Sequence, residues 1–493
     1  MNHLPVLLII NPLLAAFSLS LSIPPARKNY KIIIGVSAVI QFALSMAALL
    51  TSLQQPVHYH VGGWPVPLGI TLILDVSSGF MAAFTSILFT AAVLYSFAYI
   101  GRGKARYYYV LLMILWAGLT GMVLTGDLFN MIVFIEIASV TAYSLVAFDE
   151  TSFSLEASIK YMMLGTVGTI LIILATGIIY SSVGSLNIAD LYNRIQGIPE
   201  KPLKISIALF VAGFGVKTAL VPMHTWLADA HSSAPAPISA ILSGAFVKVG
   251  VFALFKLMYN MYGWSVLTSL GTDQLLINIG AATALIGGIM AANQADLKRM
   301  LAYSTISQVG LIVMVLSLGT LQGLTAGFFH MFNHGIAKGA LFLSVGSMAK
   351  RAKTNRITGL SGIGHDMPLS YFGFTVGALA IVGIPLLNGF MSKWLICSNL
   401  IQNGHTLHGI VLIIVSIIGA FYYFRVLERL ASPAGPDKKH RETSYGMFVP
   451  VVTLAGLCII TGLLPYIPLV VIERASLDFF SYNSIITGII GGF

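Results

Sequence analysis

Seven titratable side chains stand inside long apolar runs of this chain: Glu136, Lys217, Lys248, His330, His334, Lys338 and Lys393. Holding a charge at mid-bilayer costs about 2.5–3.5 kcal/mol on insertion scales, so Glu136 and the four lysines together cost roughly 12–17 kcal/mol. That rivals the net stability of a whole domain. These groups must therefore face one another or water rather than lipid. Glu136, in Phe-Ile-Glu-Ile-Ala, is the only acid near the middle of a span, and its expected partner is a lysine on a neighbouring helix. An ion pair that merely fixes helix packing would account for one such couple. It does not account for four lysines and one acid, because several lysines must then titrate. Proton movement along a buried row is the chemistry these residue types allow.

The row has a second half. In His330-Met-Phe-Asn-His334-Gly-Ile-Ala-Lys338 a titratable group recurs every four residues, which stacks all three on one helix face. Two histidines at that spacing could bind a metal, but Met331 stands where zinc proteases carry an acid. Either histidine alone would read as a buried structural residue; the stripe of three favours a proton relay. No metal is expected.

Both ends of the row lie beside helix breakers. Lys217 is followed five residues later by Pro222, and Lys393 is preceded by Pro385, Asn388 and Gly389. Proline cannot continue a helical hydrogen-bond ladder. The lysine precedes one break and follows the other, the mirrored order an inverted repeat would give. His224, Asp229 and His231 beside the first break are candidates to gate or feed the lysine row, or to cap the next helix. Asp75 and Asp127 read as N-caps.

The elements that must position these groups follow from composition. Of 493 residues, 57% are hydrophobic and 9% charged, against about 25% charged in soluble domains. The chain is expected to be all-α and polytopic, with apolar runs near 4–22, 32–52, 72–100, 107–125, 127–148, 156–183 and 203–221. Seven more follow near 236–258, 274–294, 300–318, 321–348, 370–400, 407–428 and 446–471, making fourteen spans with the seventh and twelfth broken. The parts expected are 1–106 (spans 1–3), 107–258 (first repeat, spans 4–8), 274–430 (second repeat, spans 9–13) and 446–493 (span 14 and tail).

Alternation of the spans assigns seventeen of the 27 basic residues to odd-numbered loops and five to even-numbered loops and the tail, Lys256 among the latter and Lys160 and Lys298 among the former. The positive-inside rule then puts the odd loops in the cytoplasm and both termini on the outer side of a cell inner membrane. The N-terminal Met-Asn-His-Leu-Pro lacks a basic leader region, so the first run is expected to be a retained span. Residues 186–196 read as a short amphipathic surface helix, and the tail after Arg474 as another surface segment.

Other classes find no support. The net charge of +10 sits in short loops, which does not suggest nucleic acid. Cys397 and Cys458 are too far apart and too few to ligate an iron–sulfur cluster alone. Val211 and Val216 occupy the glycine positions a phosphate loop before Lys217-Thr218 would need, and no dinucleotide fingerprint, flavin or nickel site is legible. No cofactor and no catalytic chemistry are expected in this chain.

Together, Glu136, Lys217 ahead of Val-Pro-Met-His-Thr-Trp-Leu-Ala-Asp-Ala-His, Lys248, the His330/His334/Lys338 helix and Lys393 resemble the antiporter-like subunits. That superfamily is shared by Mrp-type Na+/H+ antiporters, respiratory complex I and membrane-bound hydrogenases, and the likeness spans nearly the whole chain. It implies fourteen helices in two inverted five-helix repeats, a Glu–Lys pair feeding a central lysine line, and proton exit near Lys393. Within the superfamily the chain looks most like the D-type member of Mrp antiporters and its hydrogenase counterpart. Gly62-Gly-Trp-Pro-Val-Pro-Leu-Gly has the Mrp D-type character, whereas Trp226-Leu-Ala-Asp-Ala-His231 looks more like complex I and hydrogenase members. Ala228 replaces the proline usual after Trp-Leu. The partners implied are other membrane subunits, H+ and, in an antiporter, Na+; the alternative parent is a redox-driven pump, and a free-standing solute carrier is a third reading.

Overall fold

A computed structural model describes residues 3–21, 30–433, 441–482, 486 and 489; Arg27, Lys28, Lys438 and Lys439 lie outside them. The chain is a bundle of membrane-length helices. In order they are α1 (Leu4–Leu21), α2 (Tyr30–Ser52), α3 (Val76–Tyr99), α4 (Ala105–Leu124), α5 (Leu128–Val146) and α6 (Ser152–Val183). A short α7 (Ile188–Arg194) precedes α8 (Glu200–Lys217) and α9 (Thr225–Ser233). Then come α10 (Ala236–Tyr262), α11 (Thr272–Ala292), α12 (Leu297–Leu316) and α13 (Leu321–Ala352). The last are α14 (Pro368–Val382), α15 (Asn388–Gln402), α16 (Thr406–Ala431), α17 (Tyr445–Leu463) and α18 (Tyr466–Phe480).

Eleven of these helices are long and apolar enough to cross a membrane by themselves. The other three of the fourteen spans are ones bearing the chemistry: α8 with α9, α13, and α14 with α15. α13 is long enough, but its polar stripe lowers its hydropathy. The seventh and twelfth spans are broken as the prolines require. α8 ends at Lys217 with Ala219 at φ 56°, and α14 ends at Gly383 (φ 92°), with Leu386 at φ 73° before α15 begins. Gly389 is needed there because a Cβ would overlap the carbonyl oxygen of Ala380.

Two boundaries differ from the sequence reading. The apolar run from 72 begins as a strand: Thr71–Leu74 pairs antiparallel with Val57–His60, and the helix starts only at Val76. Asp75 ends the strand by capping α3, its Oδ1 accepting from the Ser78 amide at 2.7 Å while Ser78 Oγ accepts from the Asp75 amide at 3.0 Å. Asp127 caps α5 likewise, accepting from Asn130 N at 2.8 Å. The second difference is the last run, 446–471. It stops at Leu463 before Pro465, and α18 continues past Arg474 with Ile472, Ala475, Ser476 and Phe479 buried rather than lying wholly on the surface. The short helix expected near 186–196 is α7, capped by Asn187, with Ile188, Ala189, Asp190 and Leu191 buried.

The connections meet in two separate sets. At one end Lys31 donates to Phe97 O, Lys104 pairs with Glu150, Lys350 donates to Tyr99 O and Arg351 to Glu442 O. At the other, Thr125 bridges Leu72, Asp127 bridges Asn187, and Asp478 accepts from Val76 N. Odd and even loops thus sort to opposite ends, as alternating spans demand. Lys256 and Lys298 are exceptions to the loop assignment: both are buried within helices α10 and α12.

Two helices of the core are pressed together at glycines. A Cβ on Gly335 of α13 would come within 2.9 Å of the Gly244 carbonyl oxygen of α10 and overlap the Phe84 ring. That contact sets α10, which carries Lys248, beside α13, which carries His334 and Lys338. α10 also contains two π-turns, at Leu242–Phe246 and Met258–Tyr262, a distortion found mostly at functional positions.

Candidate functional site

The chain of titratable groups begins at the flank of the bundle. Glu136 on α5 is 42% exposed, whereas Lys217 at the end of α8 is 3% exposed. The Lys217 Nζ lies 3.9 Å from Glu136 Oε1 and donates instead to Ser139 Oγ at 2.9 Å and to the Tyr143 hydroxyl at 3.5 Å. Thr169 Oγ1 donates to the same Glu136 oxygen. Glu136, Ser139 and Tyr143 follow the helical spacing of one face, so the lysine hangs over a polar ladder rather than being locked to the carboxylate.

Aromatic rings fill the space beyond. Tyr143 meets Tyr161 edge-on at 4.5 Å, Tyr161 stacks on Trp226 at 3.9 Å, and Phe246 closes on Tyr161 at 6.4 Å. Trp226 Nε1 donates to Val216 O at 2.8 Å, joining the Ala219 amide on that carbonyl where α8 stops. Lys248 follows the first π-turn and donates to the Ser243 carbonyl within it. Ser243 Oγ in turn meets Thr305 Oγ1 at 2.7 Å.

The centre is His334. It is buried, neither ring nitrogen has a hydrogen-bond partner among the described residues, and it lies within electrostatic reach of Lys248, Lys338, His330 and Lys393. Its ring stacks on His330 at 6.0 Å. His330 is held at both nitrogens, by Ser392 Oγ at 2.9 Å and Gln308 Oε1 at 3.2 Å. Ser392 immediately precedes Lys393, whose Nζ donates to Ser416 Oγ at 2.9 Å and to Val382 O at 3.2 Å. The second break is therefore stitched by the lysine itself, as the first is by Trp226. Lys393 also lines a cavity of about 400 Å³ at the flank of α15 and α16. Lys338 donates to Leu301 O at 2.9 Å and to the Tyr423 hydroxyl at 3.2 Å.

The three gate candidates separate. His231 is fully buried, stacked on Phe342 at 4.9 Å with no hydrogen-bond partner for either nitrogen among the described residues, and within reach of Lys338, Lys248 and Lys298. It joins the central group. Asp229 does not: its carboxylate takes Arg299 at 2.8 Å and Lys160 at 3.3 Å, tying α6, α9 and α12 together. His224 stands apart in the loop, and its side chain makes no capping hydrogen bond to α9. Neither it nor the other two serves as the cap considered from sequence.

Sequence reasoning missed several participants. Lys298, assigned to a loop, is buried and donates to Ala234 O at 2.8 Å. It lines a cavity of about 620 Å³ with Lys104, Asp149, Ser233, Lys350 and Asn355. Lys256 is buried and donates to Thr125 O and Val123 O at 2.8 and 3.0 Å. Its neighbours Phe255 and Leu257 gave a legible signal of burial. Ser139, Gln308, Ser392, Ser416 and Tyr423 had none, since hydroxyls and amides are common in membrane helices. Among the described residues no three His, Cys, Asp or Glu side chains converge as metal ligands.

This geometry can be set beside known proteins. A relative from Desulforudis audaxviator, described as NADH-quinone oxidoreductase subunit N, is 34% identical over 94% of this chain and 96% of its own. The D-type component of a Na(+)/H(+) antiporter from Alkalihalophilus pseudofirmus is 29% identical over 94% of both chains. Among solved structures, a chain of the membrane-bound sulfane sulfur reductase, an archaeal respiratory membrane complex, superposes with a TM-score of 0.92 at 30% identity, covering 98% of this chain and 99% of that one. Residues 125–419, which include every group from Glu136 to Lys393, match the family described as NADH:quinone oxidoreductase/Mrp antiporter, TM. The chain is a multi-pass membrane protein of that family.

Proposed function

We propose that this chain is a proton-translocating membrane subunit of a multi-subunit complex of the Mrp antiporter type. Protons pass from the Glu136–Lys217 pair through Lys248, His334 and His330 to Lys393, with Lys338 and His231 branching from the centre. The observation that carries this reading is His334: a buried imidazole with both nitrogens unpartnered among the described residues, surrounded by lysines from three helices. Buried polar atoms are ordinarily satisfied, and water between such groups completes a path for protons. The cavity at Lys298 supplies protons to His231, which lies within reach of the same lysine. The spans at 107–258 and 274–430 act as inverted repeats, and the basic loops face the cytoplasm of the inner membrane, with both termini outside. Glu136, open at the flank, abuts another subunit.

Proton flux into proteoliposomes holding the assembled complex tests this. Glu136→Ala and Lys217→Ala are expected to abolish flux with the complex intact; retained flux would overturn the proposal. A second reading, a pump subunit of a redox-driven complex, is favoured by the quinone oxidoreductase relative and the reductase structure. The set of co-purifying proteins discriminates: a hydrophilic arm with iron–sulfur clusters indicates the redox complex, and its absence the antiporter. Transport of Na+ by this subunit belongs to the antiporter reading and is tested by Na+ dependence of the same flux.

A further inference from the structure

The line from Glu136 to Lys393 leaves unused a second buried charged group at the end of the bundle where α3 begins. We infer that Asp75 and Asp478 form a carboxylate pair that shares one proton there, and that with Lys256 it is a second site of proton release.

Both acids accept hydrogen bonds from the first turn of α3. Asp478 Oδ2 accepts from Val76 N at 2.7 Å, and Asp75 Oδ1 accepts from Ser78 N at 2.7 Å and Ser77 Oγ at 2.8 Å. The second oxygen of Asp75 is buried and has no partner among the described residues. Two carboxylates held this close cannot both ionise freely, so one retains a proton. Burial, with the Asp75 carboxylate beside it, pushes the Asp478 carboxyl up to about 7. α18, which bears it, follows the last span.

Independent groups converge on the pair. The Tyr482 hydroxyl, 2% exposed, has no hydrogen-bond partner among the described residues and lies within reach of Asp75. Lys256, 1% exposed, is within reach of the same carboxylate. On the strand side His58 faces Asp75 with its Nδ1 buried and likewise unpartnered. It is partly exposed and so leads outward. Lys256 lies eight residues after Lys248 on α10, about 12 Å along the axis, a span that a few waters bridge. A purely structural role would make Lys256 a cap for the carbonyls that end α4, and Asp75 only the cap of α3. Neither role leaves a buried carboxylate oxygen with an unpartnered tyrosine hydroxyl and an unpartnered histidine nitrogen within its reach.

The release role rests on the function proposed above; the shared proton does not. The test uses the whole complex with Asp478→Asn, Asp75→Asn and Lys256→Arg. Asparagine keeps each hydrogen bond to α3 and arginine keeps the charge over α4, so merely structural roles survive these changes. Infrared difference spectra across neutral pH are expected to show a carboxyl band that titrates and is lost in Asp478→Asn. Proton flux is expected to fall in all three variants by about 100-fold. No titrating band overturns the shared proton. A band with flux unchanged in the three variants, while Lys217→Ala loses flux, overturns the release role alone. Flux retained in Lys217→Ala defeats the main path instead, and the band still decides the pair.

Discussion

Lys217 stands 3.9 Å from Glu136 but gives its 2.9 Å hydrogen bond to Ser139. A lysine bound directly to the carboxylate would be a static ion pair, which is costly to break once buried. The hydroxyl holds the ammonium one step away, so the lysine can turn between the acid and the interior. Ser139→Ala removes that alternative and draws Lys217 toward Glu136. Proton flux is expected to fall several-fold with assembly unchanged; steady-state flux in proteoliposomes measures it, and wild-type flux would show that the serine plays no part.

His334 tests the centre. His334→Gln keeps a polar side chain but not a titratable one, and should lower flux by about 100-fold. His330→Gln should lower flux comparably, because glutamine can keep the hydrogen bonds to Ser392 and Gln308 but cannot pass a proton on to Lys393. Wild-type flux in either variant would remove that histidine from the path.

Lys393 lies at the far end, beside the flank cavity. Lys393→Ala should block release rather than uptake, so a single loading step persists while continuous turnover stops. Rapid-mixing measurements of proton uptake separate the two; loss of the loading step would place Lys393 at the wrong end.

Stability should depend on pH through Asp478. Its carboxyl is raised from the ordinary value of 3.8 to about 7, so the folded state binds a proton that the unfolded chain has already lost. Stability therefore falls as pH rises from about 4 to about 7 and levels off above it. Thermal unfolding of the purified complex at pH 5 and pH 8 should show this loss, and Asp478→Asn should reduce it. A melting temperature that rises over the same interval would contradict the assignment.

The close approach of α10 and α13 gives a packing prediction. Gly335→Ala places a methyl group against Phe84 and the Gly244 carbonyl, and overpacking of this kind costs about 1–3 kcal/mol. Lower thermal stability of the complex is expected, with flux reduced because Lys248 and His334 move apart.

Much of this arrangement was legible in the sequence. Charges in apolar runs have few physical excuses, so Glu136, Lys217, Lys248, His330, His334, Lys338 and Lys393 stood out. Pro222 and Pro385 marked both breaks because proline leaves no alternative. The strand at Thr71–Leu74 was hidden: a short apolar run joined to a longer one has no periodicity of its own, and only the Asp75 cap divides them. The break at Leu463 was signalled by Pro465, which the reading of 446–471 as one run passed over. Which of His224, Asp229 and His231 turns inward could not be read from spacing, since α9 is a short helix whose orientation is fixed by Arg299 and Lys160 from elsewhere. Lys256 and Lys298 were assigned to loops because sequence gives helix ends only to within a few residues.

Continuity between the flank pair and the far lysine runs through Lys248, the group that stands between them. Proton flux through the assembled complex carrying Lys248→Met measures that continuity directly. Flux at the level of empty liposomes, with every partner still bound, is the predicted result. Flux equal to that of the unaltered complex would contradict it.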